Sequence, residues 1–291
     1  MTKLIFGCGY LGLRTAQLWL DQGEAVTVVT RSSDRAQQLT QLGYQTLVAD
    51  VTQPHTLSNL PTADTVLFAV GYDRNSNDSI QEVYADGIKN VLAALPTTVQ
   101  QFIYISTTGV YGPADGNWVD ENTSPNPLRD GGRASLDAEH LLTTHTLGKH
   151  AAILRLGGIY GPGRIPYLAQ LRAGQPIAAP SQGWVNLIHV DDAAQLALAT
   201  DRWLTNQPQA PSPHIFCVTD GQPVVRANYY HKVAQCIKAP EPTFIEPDPS
   251  TPAAARALAD KRVSNEKLTQ TLNQSLKYPS YKQGLAAILQ S

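Results

Sequence analysis

The stretch that decides the fold is the glycine-rich loop Gly7-Cys8-Gly9-Tyr10-Leu11-Gly12. It follows an apolar run, Lys3 to Phe6, that is typical of a buried strand, and it opens the amphipathic pattern of residues 10–21. In a strand–loop–helix unit the first glycine makes a tight turn, the second leaves room for a pyrophosphate, and the third lets the helix pack close to the strand. The sequence therefore predicts a dinucleotide site formed by Gly7, Gly9, Tyr10, Leu11 and Gly12.

Apolar runs and helical patterns alternate through the first half of the chain. The predicted strands are Lys3–Phe6, Ala25–Thr30, Gln45–Val48, Thr65–Val70, Phe102–Ser106 and Ala151–Leu156. The predicted helices between them are Tyr10–Asp21, Asp34–Leu42, Ser79–Leu95 and Ala134–Leu147. Strands that are almost continuously apolar and separated by helices are typical of a parallel sheet covered on both faces. The predicted fold class is α/β, a doubly wound parallel sheet of Rossmann type.

Prolines accumulate after Tyr160, and the pattern becomes less regular. Val185–Val190 is predicted to be a strand that returns to the first domain, and His214–Val218 a further strand. The C-terminal part has short helical patterns and a proline-rich linker, Pro240–Pro252. We therefore predict a dinucleotide-binding domain made of residues 1–161 and 184–221, and a smaller C-terminal substrate region made of residues 162–183 and 222–291.

The end of the second strand bears on which dinucleotide is bound. A carboxylate there would accept hydrogen bonds from the ribose of NAD, but the strand ends Thr30-Arg31-Ser32, and Arg35 follows. An arginine at this place can pair with the 2′-phosphate of NADP; the alternative is a solvated surface arginine. The sequence favours NADP(H) over NAD(H). Asp50 either accepts from the adenine amino group or forms a turn.

The composition of the chain bears on the kind of partner that the protein binds and on its location in the cell. The formal net charge is −2, and Lys and Arg are scattered, so nothing indicates a nucleic-acid or membrane surface. The three cysteines have no metal-ligand spacing, and the histidines His140, His145 and His150 are five residues apart, which on a helix points them in different directions. We expect no metal, a cytoplasmic protein and a small-molecule substrate. A homodimer is left open.

Several later segments occur in the order of one known family. They are Asp64–Gly71, Tyr84–Leu92, Tyr104–Gly112, Leu154–Gly163, Asn186–Asp192 and Phe216–Gly221. Together with the glycine loop they resemble the extended short-chain dehydrogenase/reductase family, which includes nucleotide-sugar epimerases and dehydratases. The ending, Asp260–Asn265 followed by Leu276–Gly284, resembles bacterial members of that family. The resemblance implies an extended Rossmann fold and a nicotinamide cofactor.

The resemblance also implies site residues. The family's catalytic Ser/Thr corresponds to Thr107, whereas Gly131 and Ser135 stand where its Tyr-x-x-x-Lys pair belongs. Tyr111 is a candidate for a replacement catalytic group, and its alternative is a core aromatic residue. Further cofactor contacts are expected at Val51, Ala69, Val70, Gly71 and Thr107. Substrate contacts are expected at Arg133, Arg164, Asn186 and His189, although Arg133 has the alternative of a salt bridge at a helix N-terminus.

Two functions follow from a family resemblance without the usual acid/base pair. One is an NAD(P)-dependent epimerase, dehydratase or oxidoreductase of an atypical subgroup, acting on an unknown substrate such as a sugar nucleotide. Because a positioned acid or base contributes about 10²–10⁴-fold in rate, such an enzyme would need another proton donor. The alternative is a non-catalytic NADP(H)-binding redox sensor or scaffold. Whether the chain is an enzyme is left open by the sequence.

Overall fold

A computed structural model describes residues 1–207, 209–248, 250–251, 254–255 and 258–289 of the chain. The predicted linker Pro240–Pro252 and the end of the predicted region 222–291 include residues outside this described part.

Fifteen strands are defined within the described residues. They are β1 Thr2–Phe6, β2 Ala25–Thr30, β3 Gln45–Val48, β4 Thr65–Phe68, β5 Gln101–Thr107, β6 Trp118–Val119, β7 Ala151–Leu156, β8 Gly158–Tyr160, β9 Ile177–Ala178, β10 Trp184–Val185, β11 Leu187–His189, β12 His214–Val218, β13 Val224–Val225, β14 Phe244–Ile245 and β15 Arg262–Val263.

The helices are α1 Gly12–Leu20, α2 Ser33–Gln41, α3 Gly87–Ala94, α4 Asp130–Thr144, α5 Leu168–Arg172, α6 Val190–Thr205, α7 Arg226–Ile237, α8 Glu266–Leu272 and α9 Tyr281–Leu289. A π-helical stretch, Glu82–Asp86, leads into α3. Short 3-10 turns lie at Pro54–Leu57, Thr108–Tyr111 and Thr146–His150. Within the described residues, no helix combines the length and the apolar character that a membrane crossing requires.

The central sheet has seven strands in the order β12-β7-β5-β4-β1-β2-β3. Strand β1 lies parallel to both β2 and β4, so the chain leaves β1 toward one edge of the sheet and later returns on its other side. This arrangement confirms the predicted doubly wound α/β fold. In such sheets ligands bind beyond the carboxyl ends of the strands, at the point where the strand order reverses. Here that point is between β1 and β4.

The chain divides into two compact units. The first comprises residues 1–107, 130–155 and 194–216, and the second comprises residues 108–129, 156–193 and 217–291. The predicted division into a dinucleotide-binding domain and a substrate region was based on expected function, so it stays a prediction. By compactness, residues 108–129 and 184–193 belong with the second unit rather than with the central sheet.

The first unit has an apolar core beneath the sheet. Phe6, Phe68, Phe102 and Tyr104 are almost fully buried on neighbouring strands, and the ring of Phe68 contacts the other three rings at centroid distances of 5.9–6.5 Å. Aromatic pairs at such distances add to the free energy of area burial. The periodic apolar residues of the sequence therefore form the core for which they were predicted.

In the second unit, the predicted strand Val185–Val190 is wrong as a single strand of the central sheet. The segment forms two short strands, since β10 pairs with β13 and β11 pairs with β8, and Val190 begins α6. Asn186 separates the two strands, and its amide bonds the backbone of Lys261 and Val263. Alternation of apolar residues does not reveal which strand will be the partner.

Candidate dinucleotide site

The glycine loop lies at the reversal point of the sheet, directly after β1. Gly7 adopts a φ of 89°, a left-handed conformation, and a Cβ there would collide with the carbonyl of Ala69. A Cβ on Gly12 would collide with the carbonyl of Gly7. Gly7 is therefore required by the close contact of the loop with the end of β4, and Gly12 by the close contact of α1 with the loop.

Gly9 differs from the other two glycines. A Cβ at Gly9 would meet no atom within 4 Å, and the residue is exposed. The absence of a side chain at Gly9 therefore serves no packing contact and leaves open space above the loop at the N-terminal end of α1. Unpaired N–H groups and the positive end of the helix dipole favour a phosphate at such a place. The loop fits the pyrophosphate of a dinucleotide.

The residues next to Gly9 shape the same loop. Leu11 is buried, and the ring of Tyr10 lies under the guanidinium of Arg14 at 4.4 Å, while Arg14 also donates to the Tyr10 carbonyl at 2.8 Å. Cys8 is buried, and this burial raises the pKa of its thiol to about 11. The thiol is therefore protonated at neutral pH and unreactive, because the thiolate is the nucleophile.

Arg31 follows the last residue of β2, as the sequence indicated. Its Nη2 lies 2.7 Å from Oδ2 of Asp73, and its Nη1 lies 3.6 Å from Oδ2 of Asp78. Arg31 and Asp73 are exposed, so this pairing adds little to stability and a ligand phosphate can compete for the guanidinium. Neither carboxylate could be identified from the sequence as a partner of Arg31, because both lie more than forty positions away.

Arg35 and Asp50 lie at the ends of neighbouring elements. Arg35 is in the first turn of α2, where its N–H donates to Ser32 Oγ at 3.2 Å and its guanidinium donates to Gln38. The Asp50 carboxylate accepts from the N–H and the hydroxyl of Thr52, each at 2.9 Å. This is the turn-forming alternative for Asp50; its adenine contact stays a prediction.

The remaining predicted cofactor residues follow β3, β4 and β5. Val51 is buried against Gly87 at the start of α3, and the Ala69 N–H donates to the Phe6 carbonyl at 2.8 Å. Val70 is half-buried, and Gly71 is exposed. Thr107, the last residue of β5, is half-buried. Since β1, β4 and β5 are neighbours in the sheet, the residues after them lie at one edge.

The two positions of the missing acid/base pair lie on α4. A Cβ at Gly131 would lie 3.1 Å from Cδ1 of Ile80, a tight contact that a small shift of the Ile80 side chain would relieve. Ser135 is buried and hydrogen-bonds the hydroxyl of Tyr104, whose pKa is raised well above its ordinary value by burial. Neither position offers a group that can exchange a proton at neutral pH.

Of the other catalytic candidates, Tyr111 is buried in the second unit. Its hydroxyl lies 3.1 Å from Sγ of Cys217, and the Cys217 N–H donates to the Glu121 carboxylate at 2.6 Å. These contacts match the alternative of a core aromatic residue with a hydrogen-bonded hydroxyl. A catalytic role for Tyr111 stays a prediction.

The four predicted substrate residues are placed in different environments. Arg133 is exposed and pairs with Asp130 at 2.7 Å, the helix N-terminal salt bridge that was its alternative. Arg164 is exposed, and its backbone bonds that of Gly161. Asn186 holds β15, as described above. His189 is 1 % exposed, with its ring 4.0 Å from that of Tyr278. Substrate binding by these residues stays a prediction.

Asp220 is a buried carboxyl group in the second unit that the sequence did not single out. Burial raises its pKa from 3.8 to about 7; the N–H groups of Gln222 and Tyr281 partly oppose this, and the Asp192 carboxylate adds to it. Its Oδ1 accepts from the Gln222 N–H at 2.9 Å, and its Oδ2 meets no hydrogen-bond partner in the part of the chain that the structure describes. The carboxyl group of Asp220 is thus protonated at a higher pH in the folded protein than in the unfolded chain.

This pKa predicts how stability changes with pH. The pKa of Asp220 is higher in the folded protein than in the unfolded chain. The contribution of this residue to stability is therefore complete below about pH 4 and is lost as the pH rises to about 7. The total loss is about 4 kcal/mol. We expect Asp220→Asn to be more stable than the wild type at pH 8 and to show a flatter pH dependence in urea unfolding. Asp248→Asn, at an exposed turn, is the control; a slope unchanged in Asp220→Asn would contradict the assignment.

One further feature near the sheet edge was missed from the sequence. The hydroxyl of Tyr84, in the π-helical stretch, accepts from the Tyr72 N–H at 3.2 Å. π-Helical turns often lie at functional sites. The apolar periodicity of residues 79–95 predicted a regular helix and gave no signal of this irregular turn.

The fold and the glycine loop define a Rossmann-type dinucleotide-binding protein. The model of the NAD dependent epimerase/dehydratase family matches residues 4–217. Protein YeeZ of Escherichia coli K12 is 28% identical over 248 residues, which cover 82% of this chain and 85% of that protein. A solved structure from Methylobacillus flagellatus, classed with the NAD-dependent epimerases and dehydratases, is 31% identical with a TM-score of 0.79 and covers 99% of this chain and 97% of its own.

A more distant relative has a named reaction. The 4-hydroxy-2-methyl-3-oxo-4-farnesyl-3,4-dihydroquinoline-1-oxide ketoreductase of Stigmatella aurantiaca is 26% identical over 229 residues, which cover 75% of this chain and 67% of that protein. The chain belongs to the NAD dependent epimerase/dehydratase family. This confirms the resemblance to the extended short-chain dehydrogenases and supports a nicotinamide dinucleotide cofactor; the atypical subgroup stays a prediction.

Proposed function

We propose that the protein binds NADP(H) at the glycine loop and uses it in an oxidoreductase, epimerase or dehydratase reaction on a small molecule. The observation that carries this proposal is the open space at Gly9 between two glycines that packing requires. Family membership supports a nicotinamide dinucleotide. The preference for NADP(H) is supported by Arg31, because no carboxylate ends β2 and the exposed guanidinium is free to exchange Asp73 for a phosphate.

Each residue then has a defined part in binding. The N–H groups at the start of α1 bind the pyrophosphate above Gly9, and Arg31 binds the 2′-phosphate beside β2. The bound nicotinamide supplies hydride transfer. Thr107, at the end of β5, binds a substrate oxygen. The proton must come from a group other than residues 131 and 135, because Gly131 has no side chain and Ser135 is buried against Tyr104.

The cofactor preference has a direct test. Arg31→Ala is expected to weaken NADPH binding about 10- to 100-fold, because two charge-assisted hydrogen bonds are lost, and to change NADH binding less than about twofold. Isothermal calorimetry with both dinucleotides measures the two affinities. Arg172→Ala, which removes an exposed arginine of α5, is the control. Equal affinity of the wild type for NADPH and NADH would refute the assignment of Arg31.

A second candidate function is a non-catalytic NADP(H) sensor or scaffold. The specific observation in its favour is that neither position of the usual pair carries a proton donor, because Gly131 has no side chain and Ser135 is buried against Tyr104. A screen of sugar nucleotides and small ketones that follows the absorbance of the reduced cofactor separates the two functions. Turnover that Thr107→Val weakens supports the enzyme. Tight NADPH binding with no turnover of any compound supports the sensor.

The sequence also supports a location and an origin for the protein. A cytoplasmic location is proposed from the ordinary composition and from the three cysteines, an odd number that lie far apart along the sequence. A bacterial origin is proposed from the resemblance of Asp260–Asn265 and Leu276–Gly284 and from the organisms of the relatives described above.

A further inference from the structure

The strand order of the sheet indicates on which side of β1 each half of a bound dinucleotide would lie. Strand β1 has β2 on one side and β4 on the other. If the pyrophosphate lies above Gly9 and the adenosine lies beside Arg31 after β2, the nicotinamide half extends to the other side, over the carboxyl ends of β4 and β5. Asp73, farther along the segment after β4, reaches back to Arg31 on the adenosine side. The nicotinamide half therefore meets the side chains that the π-helical stretch and α4, which pack together, bring to the ends of β4 and β5.

Tyr84 is brought to this end of β4 by the π-helical stretch. Its hydroxyl accepts a hydrogen bond from the backbone N–H of Tyr72, four residues beyond the end of β4. The extra residue in a π-helical turn changes the direction of the side chains that follow it. Tyr84 is half-buried, whereas its neighbour Tyr104 is 2 % exposed. Tyr84 is thus the more exposed residue of this pair of tyrosines.

The hydrogen of the Tyr84 hydroxyl is available to a ligand. A phenol has one donor hydrogen and an oxygen that accepts. The oxygen already accepts from Tyr72, and within the described residues the hydrogen has no acceptor. The backbone bond fixes the oxygen in place, so the direction in which the hydrogen can be donated is restricted.

The resemblance to the family implies that the family's lysine holds the nicotinamide ribose, and the residue at that position cannot do so here. Ser135 replaces the lysine and is 3 % exposed, with its hydroxyl bonded to Tyr104. Gly131, at the position of the family's tyrosine, has no side chain. The π-helical stretch and α4 are in contact, so Tyr84 lies beside the helix from which both groups are missing.

We propose that Tyr84 binds the nicotinamide half of the dinucleotide by donating its hydroxyl hydrogen to a ribose hydroxyl. The inference rests on the proposed function, since it needs a dinucleotide on the glycine loop. Tyr84 then replaces the positioning role of the missing lysine with a neutral hydrogen bond.

The test compares a whole dinucleotide with its adenosine half. Tyr84→Phe removes only the hydroxyl, and calorimetry gives the affinities for NADPH and for 2′,5′-ADP, which lacks the nicotinamide and its ribose. We expect NADPH binding to weaken about 3- to 10-fold, as for one lost hydrogen bond, and 2′,5′-ADP binding to be unchanged. The fluorescence of bound NADPH, which reports the surroundings of the nicotinamide, is expected to change as well.

Two control variants accompany this test. Tyr229→Phe removes a buried hydroxyl of the second unit that meets no hydrogen-bond partner among the described residues, and it should bind both ligands like the wild type. Arg31→Ala should weaken both ligands. NADPH affinity unchanged in Tyr84→Phe, or equal losses for NADPH and 2′,5′-ADP, would overturn the role of Tyr84 while leaving dinucleotide binding intact. A wild type that binds neither NADPH nor NADH would overturn the proposed function and this inference together.

Discussion

Replacement of Gly9 by valine is expected to weaken NADPH binding about 100-fold, or about 2.7 kcal/mol, and to leave the free energy of unfolding nearly unchanged. The valine side chain would extend into the open space above the loop, where a Cβ meets no atom within 4 Å. That space is the one the pyrophosphate must enter for its oxygens to reach the N–H groups of the loop. Calorimetry with NADPH and urea unfolding measure the two effects separately.

A second glycine of the same loop gives the contrasting result. Gly12→Ala places a Cβ against the carbonyl of Gly7, so we expect it to lower stability as well as NADPH affinity. Loss of binding without loss of stability is thus specific to Gly9. If Gly9→Val bound NADPH as tightly as the wild type, the glycine loop would be a structural turn and the proposed site would be wrong.

Replacement of Lys3 by methionine is expected to destabilise the protein by about 3–5 kcal/mol, the cost of leaving a buried charge without its partner. Lys3 is 2 % exposed, and its ammonium lies 2.7 Å from Oδ2 of Asp201. Thr65 donates to Oδ1 of Asp201 at 2.8 Å, and the indole of Trp19 donates to Oδ2 at 3.0 Å. The carboxylate therefore joins β1, β4, α1 and α6 through hydrogen bonds.

Two comparisons show whether the missing charge partner is the cause. The double variant Lys3→Met/Asp201→Asn should be more stable than Lys3→Met alone, because the uncompensated carboxylate is gone. Arg133→Met breaks the exposed pair with Asp130 and should change the free energy of unfolding by less than about 1 kcal/mol. Urea unfolding measures all three. A cost for Lys3→Met as small as that for Arg133→Met would mean that the buried pair contributes nothing specific.

The regular elements of the first unit could be predicted because their signals are local. The predicted bounds of β2, β3, β7 and β12 agree with the structure residue for residue. Helix α4 begins at Asp130 rather than at the predicted Ala134, since the intervening glycines are poor helix formers that packing overrides. The short strands after Tyr160 were harder to predict, because two- and three-residue strands carry no periodicity and their pairing is set by distant partners.

The sequence by itself determined the fold class and the place of the dinucleotide loop, because apolar periodicity and glycine spacing act between residues that are close along the chain. Only the tertiary structure decided which polar groups meet. It paired Lys3 with Asp201, 198 residues away, and Arg31 with Asp73, and it placed the Tyr84 hydroxyl against the backbone of Tyr72. Those contacts depend on which strands and helices pack side by side. The glycine loop marks where a dinucleotide can bind, and Gly131 and Ser135 already show in the sequence that the usual acid/base pair is absent. The structure adds that Ser135 is buried against Tyr104.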